Sequence, residues 1–246
     1  MNLILIRHGE SQWNLENRFT GWKDVSLTKN GIIEAEYSGK ILLKNSFKIN
    51  SIHTSTLERS IETTKIVANI LKFPIEEINF EWRLNERHYG ALEGLNKSET
   101  AKKYGEEQVK IWRRSFDIPP PLLENDDIRH PSNNEKFKNL NCELPVGESL
   151  KNVIERLEPF LKNYFDFIKS NKRDNLIVAH SNSLRAIVKI LEGLSKEEII
   201  EVNIPTGVPL VYNLDNQLNI IGKKYLVDEE TLKRKKEIIK NQGKIQ

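Results

Sequence analysis

The sequence predicts an α/β fold, and three observations carry that reading. Short apolar runs alternate with amphipathic helical stretches along the whole chain. Two of the runs, within Met1–Ile6 and Leu176–Ala179, are continuously apolar, as strands buried on both faces are. No internal repeat or low-complexity tract interrupts the alternation, which excludes solenoids and propellers. Taken in order, Met1–Ile6 is the first strand. Thr28 caps a helix whose apolar face runs through Ile32, Ala35, Leu42 and Leu43. Ser55-Thr56-Leu57-Glu58 has the capping-box form, with Ser55 as N-cap, and opens a helix that buries Leu57, Ile61, Val67 and Leu71. Phe80, Trp82 and Leu84 alternate like a strand. Pro119, Pro120, Pro121, Pro131 and Pro145 leave residues 117–148 without a usable period, so this stretch reads as a long insertion near a functional site. A long helix follows, with Leu150, Val153, Leu157, Leu161, Tyr164 and Ile168 on one stripe and Pro159 expected to bend it. Leu176–Ala179 is a second buried strand ended by His180, and the next helix is expected to run from Leu184 to Gly193. Ser195-Lys196-Glu197-Glu198 repeats the capping-box form. Val208–Leu214 and Asn219–Tyr225, split by Asp215-Asn216, form two late strands, at least one of them at a sheet edge.

Composition narrows the function classes. The 246 residues can bury one sizeable core, and both histidine segments described next need to meet, so 1–246 reads as a single domain. Thirty-eight basic side chains against 35 acidic ones leave a formal charge of +3, which argues against a nucleic-acid partner. The Lys233-Arg234-Lys235-Lys236 run reads as a solvated terminal helix. No apolar run approaches the ~18 residues of a membrane span, and Met1–Ile6 lacks a basic leader, so no membrane partner and a cytoplasmic location are expected. Cys142 stands alone, and His53, His88 and His130 show no ligand spacing, so neither a disulfide nor a metal site is expected. Trp13, Trp22, Trp82 and Trp112 read as core or loop anchors.

The chemistry lies at the ends of the two buried strands. Leu3-Ile4-Leu5-Ile6-Arg7-His8-Gly9-Glu10-Ser11 and Leu176-Ile177-Val178-Ala179-His180-Ser181-Asn182-Ser183 each end a strand in His, followed by small polar residues suited to a tight turn and a helix start. Ligands of open α/β sheets sit outside such strand ends, where helix N-termini offer free N–H donors to anions. There Arg7 and the helix N-terminus disfavour imidazolium at His8 and keep a ring nitrogen free as a nucleophile toward phosphorus. Arg59, in the first turn of its helix, is disfavoured there by up to ~1 kcal/mol and is expected to face an anion. Glu86, between Arg83 and Arg87 and their neighbours, is the carboxyl group to shuttle a proton to and from a substrate hydroxyl. Twelve Arg against 26 Lys make Arg the more informative cation, and Arg113-Arg114 reads evenly as a solvated helix face or as anion ligands.

Several blocks then carry a resemblance: Arg7-His8-Gly9-Glu10-Ser11-Gln12-Trp13-Asn14, Asn17-Arg18-Phe19-Thr20-Gly21-Trp22, Leu84-Asn85-Glu86-Arg87-His88-Tyr89-Gly90, Gly94-Leu95-Asn96-Lys97, Trp112-Arg113-Arg114 and Asn203–Tyr212. The first block is similar to the signature of the histidine phosphatase superfamily. The set, in order, resembles the cofactor-dependent phosphoglycerate mutases over essentially the whole chain. The resemblance implies a three-layer α/β/α sandwich with a mostly parallel central sheet and an antiparallel edge strand, assembled as a homodimer. It implies interconversion of 3-phosphoglycerate and 2-phosphoglycerate in glycolysis and gluconeogenesis, through a phosphohistidine primed by 2,3-bisphosphoglycerate, with no metal. On this resemblance His8 carries the phosphoryl group, Glu86 moves the proton and His180 stabilises the transfer. Arg7, Asn14, Arg59, Ser181 and Asn182 line the phosphoryl site, and Ser11 joins them as a substrate ligand. Thr20, Gly21, Tyr89, Lys97, Arg113 and Arg114 hold the carboxylate and the second phosphate. The bisphosphate carries roughly five negative charges, which five of these Arg and Lys side chains can answer. Residues 228–246 resemble a mobile C-terminal cover over the site. One departure is Ser181, where the resemblance implies Gly in most members; a backbone needing the left-handed region there would strain a Ser. A phosphatase of the same superfamily is the first alternative. Bisphosphoglycerate mutase is the second, although its signature differs at the positions of Ser11 and Thr20-Gly21.

Overall fold

A computed structural model describes residues 1–138, 140, 142–242 and 244. Residues 139 and 141 of the expected insertion, and 243, 245 and 246 of the expected tail, lie outside the described residues. In chain order the elements are β1 (Asn2–Arg7), α1 (Gln12–Leu15), α2 (Lys29–Lys44), β2 (Ile49–Thr54), α3 (Glu58–Leu71), β3 (Asn79–Phe80), α4 (Lys97–Tyr104), α5 (Glu106–Arg114), α6 (Leu150–Asn171), β4 (Asp174–Ala179), α7 (Ser181–Glu192), α8 (Glu198–Glu201), β5 (Leu210–Leu214), β6 (Ile220–Tyr225) and α9 (Glu229–Asn241). The strands form one sheet in the order β3-β2-β4-β1-β5-β6. The first four are parallel, and the β5–β6 hairpin is antiparallel at one edge.

Alternation along the buried strands builds the three layers. Leu3, Leu5, Ile177 and Ala179 point to one face, against Leu150, Val153 and Leu157 of α6 and Ile187 of α7. Ile4, Ile6, Leu176 and Val178 point to the other, against Leu42 of α2 and Val67 and Ala68 of α3. Every residue of the stripe read on α6 is buried, which is why a helix of this length needs no other anchor. Register positions the chemistry: β1 pairs with β4 so that Arg7 lies opposite Ala179, and His8 N donates to Ala179 O at 3.0 Å. The residues after both strands, His8 and His180, therefore leave the sheet side by side.

Four local expectations change. The helix of Thr28 forms, with the Thr28 hydroxyl accepting from Gly31 N at 3.0 Å, but Ile32 and Leu43 are exposed. Its packed face is Gly31, Glu34, Ala35, Ser38, Gly39 and Leu42, because small residues let α2 lie close on α3. Ser55 does not cap α3; the cap is Leu57, without a side-chain bond, and the Ser55 hydroxyl is taken by His180. The alternation of Phe80, Trp82 and Leu84 yields a two-residue strand and then a 3₁₀ turn at Trp82–Leu84, because the Glu81 carboxylate accepts from Arg83 N at 2.9 Å and closes the turn. Helix α7 begins at Ser181, three residues early, since Ser183 Oγ accepts from His180 N at 3.1 Å. The Ser195-to-Glu198 reciprocal bonds form as read, at 2.7 and 3.0 Å.

Candidate active site

His8 and His180 are buried, with ring centroids 4.9 Å apart. Gly9 makes the turn after β1 possible: a Cβ there would stand 2.1 Å from the Gly31 carbonyl oxygen. The resulting loop fixes the His8 tautomer. Nδ1 donates to Gly9 O at 2.7 Å, and because a carbonyl oxygen only accepts, the proton is on Nδ1. Nε2 keeps its lone pair and accepts from Arg59 Nε at 3.3 Å. Burial, then the guanidinium charges of Arg59 and Arg7, hold the His8 pKa well below the usual histidine range. His180 is held down in the same way, by burial and then Arg59. Its Nε2 meets Ser55 Oγ at 2.6 Å, while its Nδ1 is buried without a protein partner.

Arg59 explains its own unfavourable position. Its Nη1 and Nη2 donate to Lys23 O at 3.0 Å and Gly21 O at 2.9 Å, which leaves Nε for His8. Glu86 sits in a stiff backbone: its carbonyl accepts from Trp22 Nε1 at 2.6 Å and Arg156 Nη2 at 3.1 Å. Its carboxylate Oε1 accepts from Arg87 N at 2.8 Å and from Asn182 N, at the start of α7, at 3.0 Å. Arg87 faces away from the cavity and props the end of α5 by donating to Trp112 O and Arg113 O at 2.9 and 2.8 Å.

A pocket open to solvent lies over His8. Of the residues expected from sequence, Arg7, His8, Asn14, Thr20, Arg59, Glu86, Tyr89, Lys97, Arg113, Arg114, Ser181 and Asn182 line it. His180, Ser11 and Gly21 do not; His180 lies fully buried beside His8, behind the lining. Ser11 is buried as the N-cap of α1, bonded to Asn14. Gly21, at φ +56°, serves through the carbonyl that holds Arg59. No described residue of 117–148 reaches the lining. That segment buttresses the site from behind, with Phe137 packed on Trp22 at 4.7 Å and Pro121 O accepting from Ala91 N at 2.8 Å. Ser181 carries no positive φ, so its helical backbone accepts a side chain without strain.

Four further residues line the cavity: Arg18, Arg185, Ile239 and Gln242. Arg185 had a readable signal, a lone cation inside the apolar run Leu184–Val188 four residues past the strand end. Ile239 and Gln242 lie in the tail that the resemblance places over the site, but no local pattern singles them out; the docking of α9 brings them in. Lys97 Nζ donates to Gln242 Oε1 at 3.3 Å, and Arg113 donates to the Gln242 carbonyl. Lys235 of α9 pairs with Glu34 of α2. The lining thus holds seven cations, Arg7, Arg18, Arg59, Lys97, Arg113, Arg114 and Arg185, against one carboxylate, Glu86. Burial, then Arg113 and Arg7, push the Lys97 pKa well below its ordinary value. Burial brings Arg59 and Arg113 down to about 10. Like charges held this close out of water call for a polyanionic ligand. Among the described residues no three His, Cys, Asp or Glu side chains converge as metal ligands, and no helix is long and apolar enough to cross a membrane.

A neutral imidazole with its lone pair aimed into a cationic pocket, on this sheet, defines a class. The chain belongs to the histidine phosphatase superfamily (branch 1), whose family pattern matches residues 3–217. Within it, the chain is 50% identical over 243 residues, 98% of each chain, to the 2,3-bisphosphoglycerate-dependent phosphoglycerate mutase of Hydrogenobaculum sp. (strain Y04AAS1). Two solved structures share the fold at lower identity. A mycobacterial glucosyl-3-phosphoglycerate phosphatase is 20% identical with a TM-score of 0.67, covering 86% of this chain and 92% of that one. The α-ribazole phosphatase of Shigella flexneri is 21% identical with a TM-score of 0.64, covering 89% and 95%.

Proposed function

We propose that this chain is a 2,3-bisphosphoglycerate-dependent phosphoglycerate mutase that interconverts 3-phosphoglycerate and 2-phosphoglycerate. The observation that carries the reading is a neutral, buried His8 whose unprotonated Nε2 faces Arg59 among seven cations. The 50% identical relative supports the choice of a mutase over other chemistries on the fold.

The residues fit the cofactor. Arg7 lines the cavity with a buried Nε that has no protein partner, as a donor awaiting an anionic oxygen would be. When bound, 2,3-bisphosphoglycerate supplies the phosphoryl group that loads His8. His8 Nε2 would form the N–P bond as that phosphate's ester O–P bond breaks, Glu86 would give a proton to the leaving oxygen, and the Nδ1–H···O bond to Gly9 would hold the ring in line. The Arg7 and Arg59 charges would offset, and Asn14 and His180 would hydrogen-bond, the charge spreading over the equatorial phosphoryl oxygens. When the bound monophosphate's free hydroxyl attacks the phosphohistidine, an O–P bond forms as the N–P bond breaks, and Glu86 takes the hydroxyl proton. The reverse step at the other carbon returns a phosphoryl group to His8 and the proton from Glu86. Lys97, Arg113, Arg114 and Tyr89 hold the carboxylate and the phosphate that is not reacting.

We read the chain as one functional domain, 117–148 as its buttress and 228–246 as a movable cover. It works without a metal, in the cytoplasm, as a homodimer; the exposed Phe80 and Phe167 beside the open β3 edge are apolar surface that a second copy would bury. Sedimentation of the purified chain as a monomer would refute the last point. A coupled assay with 3-phosphoglycerate, with and without catalytic 2,3-bisphosphoglycerate and with a chelator, tests the function. Mutase turnover that needs the primer and survives chelation is expected; release of free phosphate alone would make the chain a phosphatase. His8→Ala should abolish turnover and leave no acid-labile phosphoprotein after incubation with labelled bisphosphoglycerate.

A further inference from the structure

Arg185, on α7, is 1% exposed, pairs with no carboxylate among the described residues, and reaches the cavity lining beside Asn182. Burial brings it down to about 9, so the fold bears a real cost in keeping a guanidinium there. Its contacts show what it does. Nη2 donates to Ile199 O of α8 at 2.7 Å, which anchors the group, and Nη1 donates to Asn182 Oδ1 at 2.9 Å. A guanidinium only donates, so the Asn182 amide has one orientation: oxygen toward Arg185, nitrogen toward the cavity side. Asn182 Nδ2 then donates to Tyr89 Oη at 3.3 Å.

That bond constrains the phenol. With Asn182 Nδ2 occupying a lone pair of Tyr89, the phenolic proton is turned away from Asn182. The Arg87 guanidinium, 4.8 Å from the Tyr89 ring, also donates toward the phenolic oxygen and, like Arg113, can only donate, so it does not take the proton. Glu86 Oε1 already accepts two backbone N–H groups, and no hydrogen bond joins Glu86 to Tyr89. The remaining direction for the proton is the cavity that Tyr89 lines.

We propose that Arg185 is a positioning residue: by orienting the Asn182 amide it makes the Tyr89 hydroxyl a hydrogen-bond donor to the anionic substrate. The inference rests on the phosphoglycerate reading above for the identity of that substrate. Without Arg185, the amide is free to turn its oxygen to Tyr89, the phenol donates to Asn182, and its lone pairs face the substrate anion.

The test is a double-mutant cycle on KM for 3-phosphoglycerate with R185M, Y89F and the double variant. Each single substitution is expected to raise KM by about tenfold, the scale of one hydrogen bond to a charged group, with kcat changed by less than about threefold. R185M added to Y89F is expected to raise KM by less than about twofold, because the hydroxyl it orients is already gone. Effects that multiply would overturn the inference, since a direct substrate contact or a general loosening of α7 does not depend on the Tyr89 hydroxyl. R185K keeps one donor for Oδ1 and should bring KM back to within about threefold of the unaltered chain. If R185M does not fold, R185A, whose vacated space admits water, replaces it in the same cycle, and a KM rise in the Y89F background as large as in the Tyr89 chain overturns the inference. An unaltered chain that fails to interconvert phosphoglycerates defeats the proposed function; one that succeeds while the cycle is additive defeats only the role of Arg185.

Discussion

At the scale of single residues, the site is a set of protonation states fixed by neighbours. Lys97 is the clearest case for measurement. Burial and the adjacent Arg113 and Arg7 hold its pKa well below the ordinary lysine value. An anionic ligand replaces that repulsion with attraction and raises the pKa again, so binding takes up a proton wherever the empty site leaves Lys97 partly neutral. Affinity for 3-phosphoglycerate should therefore weaken as pH rises through that range, and calorimetry in two buffers of different ionisation heat should show net proton uptake. Release of protons on binding would contradict the Lys97 assignment. Ser181 gives the opposite kind of expectation, a small effect. Its φ is negative and it opens α7 as an ordinary helical residue, so the Gly of related chains confers no conformational freedom needed here. Ser181→Gly should leave kcat/KM within about threefold and cost about 1 kcal/mol or less of stability, from backbone entropy alone. A large loss of activity would mean that the hydroxyl itself binds phosphate.

At the scale of elements, α9 completes the cavity. Ile239 and Gln242 close its mouth, and the Lys235–Glu34 pair ties the helix to α2. Glu34 also accepts from Glu10 N at 2.8 Å, in the turn just beyond His8, so the cover and the nucleophile loop share one carboxylate. Ending the chain after Val227 removes this cover and admits water to the phosphohistidine. Mutase turnover should fall, and free phosphate release per turnover should rise by roughly tenfold, equivalent to about 1.4 kcal/mol of lost barrier. An unchanged ratio would show that α9 plays no part in excluding water. The same helix marks the limit of what the sequence discloses. Strand ends, the α6 stripe and the His8, Arg59 and Glu86 segments are legible because each is written within a few adjacent residues. Their meeting is legible because parallel strands bring their carboxyl ends together. The buried face of α2 was misread because close approach favoured Gly39 and Ser38 over the larger Ile32 and Leu43. Ser55 was misread because its hydroxyl has a stronger use at His180 than at a helix start. Arg185 left only a faint mark, and Gln242 enters through a docking that no local pattern records.

At the scale of the molecule, histidine burial sets the acid limit of the fold. Four histidines are kept neutral: His8 and His180 by burial and neighbouring guanidinium charge, His88 at about 3 and His53 at about 4 mainly by burial. Each has a folded pKa below its unfolded value near ~6.5, so below that pH the unfolded chain binds protons that the native chain refuses. Stability is fully present above pH 6.5 and is lost as pH falls toward the folded pKa values. Glu93 acts in the opposite sense. Burial raises it to about 7, so between its unfolded value and that pH the native chain holds one proton more than the unfolded chain. Four groups refuse protons that the unfolded chain takes and one holds an extra proton, so the net effect is loss of stability as pH falls below 6.5. Thermal melts should fall from pH 6.5 downward. His53 offers the control, because it is remote from His8 and packs between Phe160 and Tyr164 with its Nδ1 unpaired. His53→Phe places an apolar ring among aromatic rings and removes one of the four refused protons. It should raise the melting temperature at pH 5 relative to pH 7.5 and shift the acid midpoint downward while mutase activity at neutral pH is unchanged. A midpoint that does not move would show that His53 already titrates freely in the native chain, and the acid limit would then belong to the histidines of the catalytic pocket.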